Sequence, residues 1–246
     1  MTVLRSRSGA LLAEAIVSLA LGLLVIAAFA GALVGSLRWI AVLWARAEAL
    51  DVVHTVWTVL DEELRSGMPG RDWQVHDGGD WVGLRAYRGL ARVCTVETVP
   101  GPWPVAFRGR REPEPGRDSV LVLGGDGGWR AFALESVQGG GECVAREGEV
   151  AQRWGWTQGS APPPILARLY ERGEYHLADG ALRYRRGGGG RQPLTPERLG
   201  AGSAFSATAR GLDVTLELVP PNGGAGEFYS WSLEGAAIHP GASGGP

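Results

Sequence analysis

The chain has no lysine. All 24 of its basic residues are arginine and Asn222 is its single asparagine, a bias expected of a GC-rich genome, and scarce thermolabile asparagine suits a warm habitat. Against 26 acidic residues the formal net charge is −2. No bulk field therefore draws the protein toward nucleic acid or anionic lipid, and no specific nucleic-acid partner is expected. Cysteine occurs only at Cys94 and Cys143, without the CxxC spacing of zinc or redox motifs. The four histidines, His54, His76, His176 and His239, have no mutual spacing suited to a metal. Around His76 to Asp80 and around Asp126, Asp and Gly stand in turn arrangements and lack the calcium-loop pattern. The glycines at 187–190 run into Arg191 and Gln192 instead of the Lys-Ser/Thr of a phosphate loop. A G-x-S-x-G match at 241–245 lies in a tail, without the strand and helix that flank a nucleophile elbow. The chain is expected to be no enzyme, with no metal and no cofactor.

What is present is a long apolar run. From Ala10 to Leu37 the one charged residue is Glu14, and the run exceeds the roughly 20 helical residues that cross a hydrocarbon core of about 30 Å. An ordinary secretory signal is shorter and is followed by its cleavage site. A carboxylate inside such a span costs about 2.5–3.5 kcal/mol at mid-helix on insertion scales, so Glu14 asks for a partner. Arg5 and Arg7 precede the run, which places the N-terminus in the cytoplasm and the rest of the chain outside; Arg38 and Arg46 oppose that bias. Helical spacing continues through Leu43, Ala47, Leu50, Val53, Leu60 and Leu64, and a Gly67 to Gly70 stretch containing Pro69 stops it. The apolar side of this second half, with Trp44 and Trp57, is expected to form the seam against the body. Gly31 and Gly35 form a GxxxG that favours close helix approach in membranes.

Beyond residue 72 the pattern changes to short apolar and β-branched runs between Gly, Pro and Asp clusters. Candidate strands cover 81–87, 90–98, 105–108, 119–123, 129–134, 143–147, 150–157, 165–171, 174–177, 181–185, 204–209, 212–219 and 228–233, with hairpin signals at 124–128 and at Asp179-Gly180. Segments 110–116 and 187–190 read as exposed loops, and 235–246 as a frayed tail. The fold class is α+β: a long N-terminal helix, half transmembrane and half amphipathic, packed on an antiparallel β-rich domain. Both cysteines fall beyond the membrane segment, in an oxidising compartment, where they are expected to pair; two unlinked buried thiols are the alternative. Most of the ten tryptophans are expected in core and turn packing.

Three features of the N-terminus, the Arg5/Arg7 leader ending at Gly9, Ala10 after it, and Glu14 as the fifth residue beyond that glycine, resemble the signal of type IV prepilins and type II secretion pseudopilins. The resemblance implies a pilin-like fold, cutting between Gly9 and Ala10 by a prepilin peptidase, methylation of the Ala10 amine, and a Glu14 that aligns subunits by facing a neighbour's N-terminus. The family usually has Phe where this chain has Ala10. Segments 166–170, 175–185, 192–194 and 212–218 are similar to the J-type pseudopilin and the W-type minor pilin. The implied organisation is a leader at 1–9, a transmembrane helix at 10–37, its amphipathic continuation at 38–66, an extracytoplasmic domain at 67–234 and a tail at 235–246. Implied partners are prepilin peptidase, other minor and major pilins or pseudopilins, an inner-membrane assembly platform with its ATPase, and membrane lipid. The implied location is the inner membrane, single-pass, with incorporation into a pilus or pseudopilus. The competing reading is a single-pass anchored envelope protein whose β-rich domain binds a ligand and never polymerises.

Overall fold

In a computed structural model of the chain, residues 7–94, 102–157, 162–220 and 226–234 are described; the side chains of 7–11 are not. The elements are α1 (Arg7–Leu64), β1 (Trp73–Val75), β2 (Trp81–Val93), β3 (Trp103–Gly109), β4 (Ser119–Gly124), β5 (Trp129–Ala133), β6 (Ser136–Gly139), β7 (Val150–Gly155), β8 (Pro164–Ala178), β9 (Ala181–Arg186), β10 (Arg191–Pro193), β11 (Ala204–Ala207), β12 (Gly211–Leu218) and β13 (Glu227–Glu234). The chain divides into two units, Met1–Asp51 and Val52–Pro246.

The first unit consists of α1 up to Asp51. Leu and Ala, strong helix formers, dominate it, and its large apolar side chains from Leu12 to Leu43 are 49–76% exposed. A helix apolar on every face belongs in lipid or in a protein interior, and the described large apolar side chains of this one are exposed. It is long and apolar enough to cross a membrane.

In the second unit the same helix becomes one-sided. Val52, Val56, Leu60 and Leu64, spaced four apart, are buried. This corrects the expected seam at Trp57, which is 39% exposed, while Trp44 falls in the first unit. Trp57 lies about 100° around the helix from Val56, and a stretch apolar on two faces hides from pattern reading which face is covered. The helix ends with Gly67 N–H donating to the Leu64 carbonyl at 3.0 Å. Arg168 of β8 donates to the Ser66 carbonyl at 2.9 Å while lying 3.5 Å from the Tyr87 ring centroid, so a cation closes the negative end of the helix.

The β-domain is antiparallel throughout its named strand pairs. Ten strands form one sheet with the order β10-β9-β8-β2-β3-β7-β6; β1 also pairs with β2, and β4 joins β8 to β5. β5 and β6 are separated only by Leu134 and Glu135, yet they pair with β4 and β7 respectively. The sheet therefore curls, and Val105, Phe107, Val120, Val122, Trp154 and Leu169 pack inside the curl with Leu134. β11, β12 and β13 form a second antiparallel sheet that buries Leu212, Val214, Leu216 and Leu218 from alternate positions of β12.

Two pairs of expected strands are continuous. Segments 81–87 and 90–93 form β2, and 165–171 and 174–177 lie in β8, with Gly89 and Gly173 inside the strands. A Cβ at Gly89 would run into the Phe107 ring and the Arg108 carbonyl, and one at Gly173 into the Tyr184 ring; these glycines admit close neighbours and turn nothing. Segment 143–147 is not a strand. Cys143 is fixed by its bond to Cys94, across a Cα–Cα distance of 5.5 Å, and Arg92 donates to the Val144 carbonyl at 3.1 Å. Strands β1, β6 and β10, three or four residues each, were too short for a periodic signal. Asp179 (φ 49°) and Gly180 (φ 71°) form the β8–β9 turn, both in the left-handed region that a tight hairpin of this kind requires. Residues 95–98 and the tail 235–246 lie outside the described residues.

Candidate functional site

The N-terminal junction sits inside the helix. Gly9 and Ala10 fall in its opening turns, since α1 begins at Arg7. Glu14, about one turn further on, is exposed. The Ser18 hydroxyl donates to the Glu14 backbone carbonyl at 2.8 Å, and among the described residues the Glu14 carboxylate has no ion-pair partner. Gly31 and Gly35 have nothing within 4 Å of where a Cβ would stand, so the helix offers an open flank there. The junction is thus an apolar stretch of helix with one acid that nothing among the described residues meets.

The β-domain holds a second charged constellation that pattern reading did not assemble. Its centre is Glu171 on β8, 4% exposed, which accepts from Arg88 Nε at 2.9 Å, Arg111 Nη2 at 2.8 Å and the Tyr184 hydroxyl at 2.8 Å, and pairs with Arg186. Asp118, just ahead of β4, accepts both Arg111 Nη atoms at 2.7 and 2.6 Å, Arg186 at 3.0 Å and the Glu114 backbone N–H at 2.7 Å. Arg88 reaches on to Glu63 in the last turn of α1, and Arg186 to Glu114. Arg88 occupies the bulge of β2, the residue between the paired Tyr87 and Gly89, and a bulge re-aims one side chain out of the strand's alternation. Four carboxylates, Glu63, Glu114, Asp118 and Glu171, thus share three guanidinium groups.

This arrangement sets the protonation order. Burial raises Glu171 and Asp118, but their arginine and hydrogen-bond partners outweigh it and hold both below the ordinary range. Burial pushes Glu63 up, against the pull of Arg88 and Arg110. Arg88 is held further into its charged form, since Glu63 and Glu171 overcome its burial. The cluster ties the end of the helix to β2, β8, β9 and the loop at 110–118. That loop is consequently not the free surface expected from Arg110 to Gly116, because Arg111 is drawn inward.

The remaining sites sort simply. Cys94 and Cys143 are joined. Asp126 is taken by Arg130 at 3.0 Å and by the Gly128 N–H at 3.1 Å, which is turn chemistry. His76 and His176, far apart in sequence, both stack on Trp81 at 5.0 and 5.7 Å. Among the described residues no group of three or more His, Cys, Asp or Glu is placed to hold a metal ion. Trp73, Trp103, Trp154 and Trp156 are core residues. No protein-family model, curated protein or solved structure matches the chain, so its role has to be argued from its own residues.

A pH prediction follows from the charge sharing. Glu171 and Asp118, depressed in the folded state, contribute stability above their ordinary values of about 4.3 and 3.9, and that stability is lost as pH falls through the folded values. Glu63, raised in the folded state, acts oppositely: between its ordinary and raised values folding takes up its proton, and stability rises as pH falls. His176, held down chiefly by burial, opposes this gain below about pH 6.5. The informative comparison is therefore of urea midpoints for the native chain and Glu63→Gln. Relative to that variant, the native chain should gain stability from pH 7 toward about 4.5, and both should lose it steeply below about pH 4. Parallel profiles throughout would remove Glu63 from the account.

Proposed function

We propose that the chain is the precursor of a minor pseudopilin or minor pilin of the J or W kind. It is anchored in the inner membrane through residues 10–37, cut after Gly9, and built into or onto the tip of a short envelope filament. The observation that carries this reading is Glu14, the only charged side chain between Gly9 and Arg38, on a stretch of helix whose large apolar side chains from Leu12 to Leu43 are exposed among the described residues. Among apolar neighbours an unpaired carboxylate is costly, whereas a carboxylate and an amine buried together offset each other's desolvation. The Ala10 amine of a neighbouring subunit, created by the cut, supplies that partner. The protein is then the substrate of a prepilin peptidase and not itself an enzyme. Its partners are other minor and major pilins or pseudopilins, with the assembly platform and ATPase beneath them.

Glu14→Ala tests the pairing. Removing one member of a buried ion pair costs about 3–5 kcal/mol, but the substituted residue lies beyond the cut. The variant should be processed like the native chain and yet be depleted from sheared filaments by well over tenfold. Native-level incorporation would eliminate the proposed alignment role.

A further inference from the structure

The apolar run is longer than the layer it would cross. Residues 10–37 rise about 42 Å at 1.5 Å per residue, against a hydrocarbon core of about 30 Å, and a tilt of about 20° shortens the run only to about 39 Å. One end must emerge, and the residues at the outer end decide which. Arg38, Trp39, Trp44 and Arg46 follow the run, and the two indoles are 69% and 73% exposed. They sit five residues apart, about 140° around the helix, so they share no face and form no seam. Indoles on separate sides of one helix, flanked by arginines, have the chemistry of a bilayer-interface belt.

We infer that this belt fixes the vertical register of the helix and holds Glu14 at the inner headgroup boundary, outside the hydrocarbon, while the chain is a single lipid-embedded molecule. With the outer boundary at Trp39, about 20 untilted residues reach residue 19, leaving Glu14 about 7 Å beyond the core. At a tilt of 20° the inner boundary falls near residue 18. At 40°, the upper end of observed tilts, it falls near Ala13, and Glu14 is level with it. No ordinary tilt buries the acid deeply. The bilayer therefore imposes little penalty on the unassembled chain, and Glu14 comes to need an amine only when neighbouring helices replace headgroups and water around it. This inference rests on the membrane-anchor part of the proposed function.

The test is depth measurement on the full chain in phosphatidylethanolamine/phosphatidylglycerol vesicles, with the native disulfide kept oxidised. Nitroxides are placed singly through Ala13→Cys, Leu24→Cys and Ala28→Cys, and collisions with oxygen and with a nickel chelate give the depth. The belt register, centred near residue 29, predicts the Ala28 label deepest and the Ala13 label several-fold more accessible to nickel than either of the others. Adding Trp39→Ala and Trp44→Ala should shift the deepest position toward residue 24. A register set by the apolar run alone is centred at residues 23–24, so a deepest label at Leu24 would overturn the inference while leaving the anchor intact. Labels water-accessible at all three positions would contradict both the inference and the anchor.

Discussion

Glu171→Ala is expected to lower the unfolding free energy of the β-domain by about 3–5 kcal/mol, the cost of removing one partner from a buried ionic group. Three arginines and a tyrosine converge on this 4%-exposed carboxylate, and without it Arg88, Arg111 and Arg186 are crowded together in a partly buried space. All three retain acids of their own, Glu63 for Arg88 and Asp118 for Arg111 and Arg186, which argues for the lower part of that range. The contrast is Asp61→Ala, which removes the i,i+4 pair with an Arg65 side chain that is 68% exposed. A pair of that kind contributes at most about 0.5 kcal/mol. The shifts in urea midpoint caused by the two variants should therefore differ severalfold. Equal midpoints would mean that the cluster is incidental to the fold.

The second large effect concerns Cys94 and Cys143. Their bond closes a loop across a sequence separation of 49, and loop-closure entropy for that length gives about 4 kcal/mol of stabilisation through the unfolded chain. The effect should also be local. Residues 143–147 belong to no strand, and among the described residues the covalent link joins the end of β2 to the segment ahead of β7 together with Arg92 bonding to Val144 and Glu149. Reduction, or the double replacement Cys94→Ala/Cys143→Ala, should lower the unfolding midpoint by that amount and speed amide exchange around residues 143–149 first. A shift below about 1 kcal/mol would show that the unfolded chain was already restrained there.

The helix was legible because its signals are local and redundant: an uncharged run for the first half, four-residue spacing for the second, and Gly67 to Gly70 for the stop. Which side of the second half is covered was not legible, because Trp57 and Val56 are equally apolar and only the fold distinguishes them. The merged strands show the same limit, since a glycine that admits a neighbouring ring at Gly89 or Gly173 reads like one that turns the chain. The ionic cluster was least accessible of all. Its members come from α1, β2, the loop at 110–118, β8 and β9, and one of them, Arg88, points inward only because it occupies a bulge. Asp118 stands just ahead of the expected strand 119–123, and nothing in the spacing ties it to Arg111 or Glu171. The Gly9/Glu14 junction was readable for the opposite reason: all of its parts lie within ten residues.

Cutting after Gly9 separates a filament subunit from a tethered domain. Intact mass and N-terminal sequencing of the protein from membranes of its own cell, with prepilin peptidase active, should show a chain beginning at Ala10 and lacking residues 1–9, whereas Gly9→Ala should retain Met1. A native chain that keeps its leader at full abundance would contradict the account and leave a membrane-tethered, ligand-binding β-domain in its place.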